Sequence, residues 1–301
     1  MSLASSTRLP TTVRRAPHGT ATRQSPFSVG GATLFMVLFA GYFLAPIWWL
    51  VTTASKTRPE LRADPSLWFS GPFALPQNDG DVLTYDGGRI LEWMGNSLLY
   101  AGVGGAVATL VAAMAGYALA QYAFPGREAT FNIILAGVLV PTTALALPLF
   151  LLFSKLDATN THLAVLLPSC VSPFGVYLAR IYTESSVPEE LLEAARLDGA
   201  SELRIFFAIS IRLLSPALVT VFLFQFVAIW NNFFLPLVML QDSALYPITL
   251  GLHTWNSQIP HNPDLQLFVI VGALLSIIPL IVAFLSLQRF WRGGLGVGGL
   301  K

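Results

Sequence analysis

Six stretches of about 20 apolar and almost uncharged residues recur along this chain. A helix that crosses the hydrocarbon core of a bilayer, which is about 30 Å thick, needs about that many residues because each adds about 1.5 Å. These stretches therefore predict an all-α membrane protein with six transmembrane helices. They cover residues 31–51, 97–120, 129–153, 163–182, 216–240 and 267–287.

The composition supports lipid as the main surroundings of the chain. Hydrophobic residues make up 54% and charged residues only 11%, whereas soluble proteins carry about 25% charge. The net charge of +1 gives no basic patch of the kind that binds nucleic acid. The single cysteine, Cys170, cannot form an intramolecular disulfide and is interpreted as a small buried residue.

Small residues and prolines predict how these helices pack. Glycine and alanine crowd the second stretch, and small residues let membrane helices approach closely, so this helix is expected at the centre of the bundle. Prolines inside several stretches predict kinks, because proline lacks the N–H that a helix needs. These prolines are Pro46, Pro141, Pro148, Pro168, Pro173, Pro236 and Pro279.

The basic residues predict the orientation, since lysine and arginine favour the cytoplasmic side. With the amino terminus inside, 12 of the 17 basic residues lie in inner segments. Both termini are therefore expected in the cytoplasm. Residues 1–26 are interpreted as a basic, disordered tail, and the first stretch as an anchor rather than a cleaved signal. Residues 27–301 form the transmembrane domain, and residues 53–95 an ordered but irregular extracytoplasmic loop.

The segment 183–215, between the fourth and fifth predicted spans, is too polar to cross lipid. Ser186 and Glu189 have the spacing of a capping box, which predicts a helix that runs to about Asp198. Gly199 can take the positive φ of a helix end, and Ser201 is expected to cap a second helix. This helix, sharp turn and helix could pack against the bundle or receive another protein.

A string inside this segment carries a family resemblance. Residues 193–201 read EAARLDGAS, with Phe206 and Ile209 following, and this resembles the EAA loop of ABC importer permeases. The resemblance implies a cytoplasmic coupling helix that docks in a cleft on a separate ATPase subunit. One departure is Arg212, which stands where the family usually has proline, so Pro216 is expected to serve instead. The residues implied in ATPase coupling are Glu193, Ala194, Ala195, Arg196, Asp198 and Gly199.

Further strings are similar to carbohydrate-uptake permeases, the kind that includes the smaller permease of the maltose importer. The likeness implies a type I ABC importer fold in the bacterial plasma membrane that translocates a sugar or oligosaccharide. It also implies four partners: a homologous second permease, two ABC ATPase subunits and an extracytoplasmic solute-binding protein. The strings begin at Asn96, Phe124, Pro148, Trp230 and Gln288.

Motifs for chemistry are missing from the sequence. Without a G-x-x-x-x-G-K-[ST] string, ATP and Mg²⁺ are expected on the partner ATPase subunits. The four histidines lack metal-binding spacing, so no catalytic, cofactor or metal site is predicted and the chain is not expected to be an enzyme. The alternatives are the same machinery for a glycerol-phosphate-like solute or a peptide, a secondary carrier, and a membrane-embedded enzyme.

Polar residues within the fifth predicted span suggest a substrate pathway, because such residues are costly in a membrane. Gln225, Asn231 and Asn232 could bind sugar hydroxyls, and Trp230 could offer a flat face to a sugar ring. The other interpretation is that they bond neighbouring helices, as polar side chains commonly do in membranes. The second interpretation is favoured, because in related importers the paired permease can hold most of the substrate contacts.

Overall fold

The computed structural model describes residues 26–63 and 67–295, and within these ranges the regular structure is helical. The helices are α1 (Pro26–Ala54), α2 (Arg58–Ala63), α3 (Leu75–Thr84), α4 (Arg89–Leu98), α5 (Gly104–Gln121), α6 (Arg127–Ala136), α7 (Thr142–Lys155), α8 (His162–Ser169), α9 (Pro173–Ser186), α10 (Glu189–Leu197), α11 (Glu202–Ile205), α12 (Ile211–Trp230), α13 (Phe234–Met239), α14 (Ile248–Gln258) and α15 (Leu265–Leu295).

Five continuous helical segments are long and apolar enough to cross a membrane, and a bent pair raises the number to six. The bent pair is α6 with its following 3₁₀ turn, and α7, which meet at 101°. Val140 is extended where it precedes Pro141, because proline clashes with a helical residue before it. The predicted third span over residues 129–153 is therefore a sharply broken one.

The fifth span differs from the prediction at both ends. Residues 202–230 form one helical run, in which α11 passes through a π turn into α12. Pro216 lies inside this run, and the carbonyl of Arg212 that it leaves without a backbone donor accepts a 2.9 Å hydrogen bond from Ser215 Oγ. The run ends at Trp230, so the predicted extent of residues 216–240 is wrong, and α13 is a separate short helix.

The second span, which runs from α4 through a π turn into α5, is confirmed as central. In an apolar stretch of 18 residues of this span, 44% of the residues are buried, a larger share than in the corresponding stretch of any other candidate span among the described residues. It packs against α9 and α12. At Gly116 a Cβ atom would lie 2.6 Å from Ala179 Cβ, so only glycine permits this approach of α5 to α9.

The predicted irregular loop over residues 53–95 is largely helical. Residues 79–81 read Asp-Gly-Asp, a composition common in turns, yet they lie inside α3. A turn does occur at Asp86, Gly87 and Gly88, all with positive φ. Asn78 Nδ2 donates to the carbonyls of Ala54 and Lys56, at 2.7 and 2.9 Å, and so ties α3 to the end of α1.

The long connection between α13 and α14 is held against the second span. Asn96 Nδ2 donates to the carbonyls of Ala244 and Tyr246, and Ser97 Oγ accepts from the Ile248 backbone N–H at 2.8 Å. Tyr100 Oη donates to the Leu245 carbonyl at 2.8 Å. We call this the loop end of the bundle, and the opposite end, where α5 and α9 finish, the elbow end.

Residues 30–47 of α1 expose their apolar side chains, including an aromatic row of Phe35, Phe39 and Phe43 with centroids 5.3 and 5.0 Å apart. Such a helix requires apolar surroundings. The predicted tail, residues 1–26, lies outside the described residues except for Pro26, which begins α1.

Candidate coupling elbow and membrane cavity

Two helices meet at a sharp turn at the elbow end, and we call residues 187–205 the elbow. The turn is a Schellman motif. The Gly199 N–H donates to the Arg196 carbonyl and the Ala200 N–H to the Ala195 carbonyl, both at 3.0 Å. Gly199 has φ +79°, which confirms its predicted role at the helix end.

The predicted side-chain caps of the elbow are wrong. Ser186 is the last residue of α9 and caps nothing, and Pro188 occupies the N-cap position of α10. Ser201 is at the N-cap position of α11, but its side chain makes no capping bond. The reason is tertiary: α9 continues to the very start of the elbow, and α11 continues the fifth span, so neither terminus depends on a local cap.

The inner side of the elbow rests on the bundle through an apolar cluster. Leu192 and Ile205 are fully buried, and Val187 and Phe206 nearly so. They pack with Ala113, Tyr117 and Leu214 of the second and fifth spans, while Ala195 and Ala200 are partly buried at the edge. Ala195 therefore lies against the bundle.

The outer side of the elbow is exposed and partly apolar. Glu193, Ala194, Asp198 and Gly199 are exposed, so the structure divides the two alanines of the EAA string between opposite sides. Leu197 at the tip of α10 is 90% exposed. Three more large apolar side chains are exposed in or next to the elbow, namely Leu191, Leu203 and Phe207.

Arg196, one of the residues that the resemblance implies in ATPase coupling, forms a bond within the elbow. Its Nε and Nη2 donate to the two carboxylate oxygens of Glu202, at 2.7 and 3.3 Å. Tyr122, just after α5, donates its hydroxyl to Glu202 Oε2 at 2.7 Å. Burial and this hydrogen bond raise the pKa of Tyr122, so its hydroxyl stays protonated. Sequence reasoning missed Tyr122 and Glu202 because 80 residues separate them.

A second polar cluster that sequence reasoning missed lies where α6 meets α9. Arg180 is 8% exposed, and its guanidinium donates to Glu128 at 2.7 and 3.3 Å and to Glu184 at 2.9 Å. The same guanidinium lies 4.1 Å from the centroid of the Phe131 ring. It thereby joins the third span to the fourth.

A cavity of about 650 Å³ opens where three spans are interrupted. Its walls come from the bend before α7, the break between α8 and α9, and the end of α12. The lining carries hydroxyl, amide, aliphatic and aromatic groups and no charged side chain. Its polar side chains are those of Thr142, Thr143, Ser169, Ser172, Gln225, Asn231 and Asn232.

The structure brings the three predicted amides together at this cavity. Gln225 makes no hydrogen bond with its side chain to any described residue. Asn231 Nδ2 donates to the Val227 carbonyl of its own helix at 2.9 Å, and Asn232 Oδ1 accepts from the Leu235 N–H at 3.4 Å. The Asn231 bond stays within its own helix, the Asn232 bond reaches the adjacent short helix α13, and neither crosses to another transmembrane span.

Trp230 does not line the cavity. Its side chain is 2% exposed, and its ring stacks on Phe226 with centroids 5.7 Å apart. Trp230 therefore does not offer a flat face to a sugar ring, as the less favoured interpretation had it, because it points into the core of the bundle while its two neighbours in sequence follow the end of the helix.

Among the described residues, no group of three or more potential metal-ligating side chains forms a metal site.

Most of the chain is similar in sequence to proteins of known function. Residues 89–292 match the family of binding-protein-dependent transport system inner membrane components. The arabinooligosaccharides transport system permease protein AraQ of Halalkalibacterium halodurans is 33% identical over 93% of this chain and 99% of its own length. The lactose transport system permease protein LacG of Rhizobium radiobacter is 31% identical over 92% and 98%.

A solved structure shares the fold. It is that of a bacterial ABC transporter involved in the import of the acidic polysaccharide alginate, with a TM-score of 0.76 and 23% identity over 88% of this chain and 96% of the other. The match over residues 89–292 and the identity to full-length permeases establish the family. This chain belongs to the binding-protein-dependent transport system inner membrane components, as a multi-pass membrane permease subunit of an ABC transporter.

Proposed function

We propose that this permease imports a neutral sugar or oligosaccharide, which a solute-binding protein delivers and ATP hydrolysis on partner subunits drives. The names of the relatives support a saccharide: arabinooligosaccharides and lactose. The uncharged lining of the cavity supports a neutral one, because hydroxyl and amide groups match sugar hydroxyls, whereas a phosphate or uronate would favour a cationic partner.

The observation that carries the ATP-driven mechanism is the two-sided elbow. Its inner side is seated on the second and fifth spans, and its outer side presents Leu197 at 90% exposure. A large apolar side chain at the tip of a rigid turn fits a pocket on another protein. We assign that protein as an ABC ATPase subunit, with Glu193, Ala194, Asp198 and Gly199 around the contact. Two such subunits would serve this chain and a homologous second permease.

Co-purification tests the docking. We expect an ATPase subunit to accompany this chain when membranes of its host are solubilised and the chain is captured. Leu197→Gln should weaken that association by roughly tenfold to a hundredfold, because a leucine buried on docking contributes about 1.5–3 kcal/mol. The matched control is Leu156→Gln, which changes a leucine 65% exposed outside the elbow. Capture of the chain without any ATPase would instead favour a secondary carrier.

Uptake kinetics test the cavity. Asn231→Ala should raise the apparent KM for the transported saccharide when uptake is measured in vesicles with the binding protein. The control is Asn132→Ala, at an exposed asparagine of α6 that does not line the cavity. An unchanged KM for Asn231→Ala would count against substrate contact. Competition with neutral and uronic oligosaccharides of the same length would separate neutral from acidic substrates, and inhibition by a phosphorylated polyol or a peptide would favour those solutes.

The proposed orientation places the elbow, within segment 183–215, in the cytoplasm and segment 53–95 outside, with 27–301 as the transmembrane domain. The geometry supports this arrangement in one respect. The ends of α1, α4 and α14 share the loop end, while α5, α9 and the elbow share the other, so ATPase and binding-protein contacts fall on opposite faces.

A further inference from the structure

The elbow has two separate connections to the second span. One is apolar: Phe206 packs on Tyr117 with centroids 5.2 Å apart, and Tyr117 packs on Tyr122 at 6.0 Å. The other is polar and runs from Arg196 through Glu202 to the Tyr122 hydroxyl. The apolar connection involves Leu192 of α10 as well as Phe206 of the fifth span, and it is non-directional packing. The polar connection joins α10, the helix with the exposed tip, to Tyr122 through directional hydrogen bonds.

The bond between Arg196 and Glu202 links the two helices of the elbow across the turn between them. Arg196 is in the last turn of α10 and Glu202 is the first residue of α11, so their bond spans the Gly199 turn. A single ion pair with side chains 36% and 46% exposed contributes little stability. A bidentate pair within a network holds geometry more firmly, because two parallel bonds fix the guanidinium plane. We therefore expect this pair to fix the position of α10 relative to α11 rather than to add much stability.

We infer that Arg196, Glu202 and Tyr122 form a tether that transmits movement of α10 to the elbow end of the second span. The inference rests on the proposed docking of the elbow on an ATPase subunit. Arg196 is then a positioning residue rather than a docking contact. When nucleotide closes the ATPase subunits, α10 moves, and the tether pulls Tyr122 with it. Without the tether, α10 would still move, but the second span would follow less.

The alternative is that Arg196 touches the ATPase directly and that its bond to Glu202 is incidental. The carboxylate of Glu202 distinguishes the two, because it accepts both from Arg196 and from Tyr122. In the tether, Arg196→Ala, Glu202→Gln and Tyr122→Phe should all have the same effect. In a docking contact, only Arg196→Ala should matter.

The test measures movement without needing the transported solute. In a Cys170→Ser background, an environment-sensitive fluorophore is attached either to Glu190→Cys, on α10, or to Ala123→Cys, beside Tyr122. The complex is captured through this chain from membranes of its host and placed in lipid nanodiscs. The emission change on adding ATP and vanadate is then recorded for each label.

We expect both labels to respond in the parent complex. In Arg196→Ala the label at position 190 should still respond, while the response at position 123 should fall at least about fivefold, the lower end of ordinary coupling between sites. Glu202→Gln and Tyr122→Phe should do the same. The charge exchange Arg196→Glu with Glu202→Arg restores the ion pair, and the guanidinium at position 202 can donate to the Tyr122 hydroxyl oxygen where Glu202 accepted from that hydroxyl. It should therefore restore the response, and this recovery separates a tether from a general loss of structure. Arg212→Ala, at an exposed arginine outside the elbow, is the control.

Each other result has a distinct meaning. An undiminished response at position 123 in Arg196→Ala, or no recovery in the charge exchange, overturns the tether. Loss of the ATPase subunit from Arg196→Ala alone makes Arg196 a docking contact and also overturns it. If neither label responds in the parent complex although the ATPase is present, the proposed docking of the elbow fails, and the tether fails with it.

Discussion

At the scale of single residues, two glycines are required for different reasons. Gly199 is required by its backbone, because its φ is +79° and nothing lies within 4 Å of where a Cβ would stand. Gly116 is required by its neighbours, because a Cβ there would lie 2.6 Å from Ala179 Cβ and 2.7 Å from the backbone nitrogen of Arg180. Substitutions at the two sites should therefore fail in different ways.

At Gly199 we expect a graded series. Gly199→Ala strains the backbone by about 1–2 kcal/mol without a clash, and Gly199→Asn less, since asparagine tolerates this conformation better. Gly199→Trp adds bulk at the exposed turn and should allow ATP hydrolysis but not uptake. The measurement is solute taken up per ATP hydrolysed in vesicles, and normal uptake by Gly199→Trp would contradict the proposed role of the elbow.

At Gly116 we expect a loss of stability. Gly116→Ala should destabilise the subunit by about 1–3 kcal/mol, the usual cost of overpacking. Gly102→Ala in the same span is the matched control, since nothing lies within 4 Å of its Cβ position. The stability of both variants is measured by thermal unfolding in detergent, which is monitored through the loss of the monodisperse peak. An equal effect of the two variants would show that the contact with α9 relaxes easily.

At the scale of elements, breaks in three spans bring the cavity-lining amides and hydroxyls together. The third span bends before α7, the fourth is interrupted between α8 and α9, and the fifth ends before Asn231. Each helix end at a break leaves backbone groups without helical partners, which is tolerated in a membrane only where protein or a cavity surrounds them.

Arg180 holds two of these interrupted spans together at the elbow end, and we expect its geometry to matter as well as its charge. Arg180→Lys keeps the cation but cannot bond Glu128 and Glu184 through a planar fork, so thermal stability should fall. Arg127→Lys is the control, because Arg127 is more exposed and makes one bond to Glu128. Equal melting temperatures for Arg180→Lys and the parent would show that charge alone suffices.

At the scale of the whole molecule, the alternating direction of the spans places the elbow and segment 53–95 at opposite ends. We expect an impermeant maleimide to label Asp81→Cys in right-side-out membranes, and Glu190→Cys only after lysis. Both variants are made in the Cys170→Ser background. Labelling of Glu190→Cys in sealed right-side-out membranes would reverse the proposed orientation and remove the elbow from any cytoplasmic ATPase.

The local sequence was sufficient to predict the features that depend only on residues near one another in the chain. Long apolar stretches located the membrane helices, small residues identified the central span, and Gly199 marked the sharp turn. Local reasoning was wrong where a neighbouring element replaced a local signal. Ser186 and Ser201 have cap-forming side chains, but the adjoining helices extend to the elbow and leave these side chains no capping role.

The sequence by itself determined that this chain is a membrane protein and has a sharp turn at Gly199, because burial of apolar length and the freedom of glycine are properties of short segments. Only the tertiary structure decided that Trp230 is core while Asn231 faces a cavity, and that Arg196 reaches Tyr122 through Glu202. Those outcomes depend on where helices end and cross, and contacts between distant residues decide that.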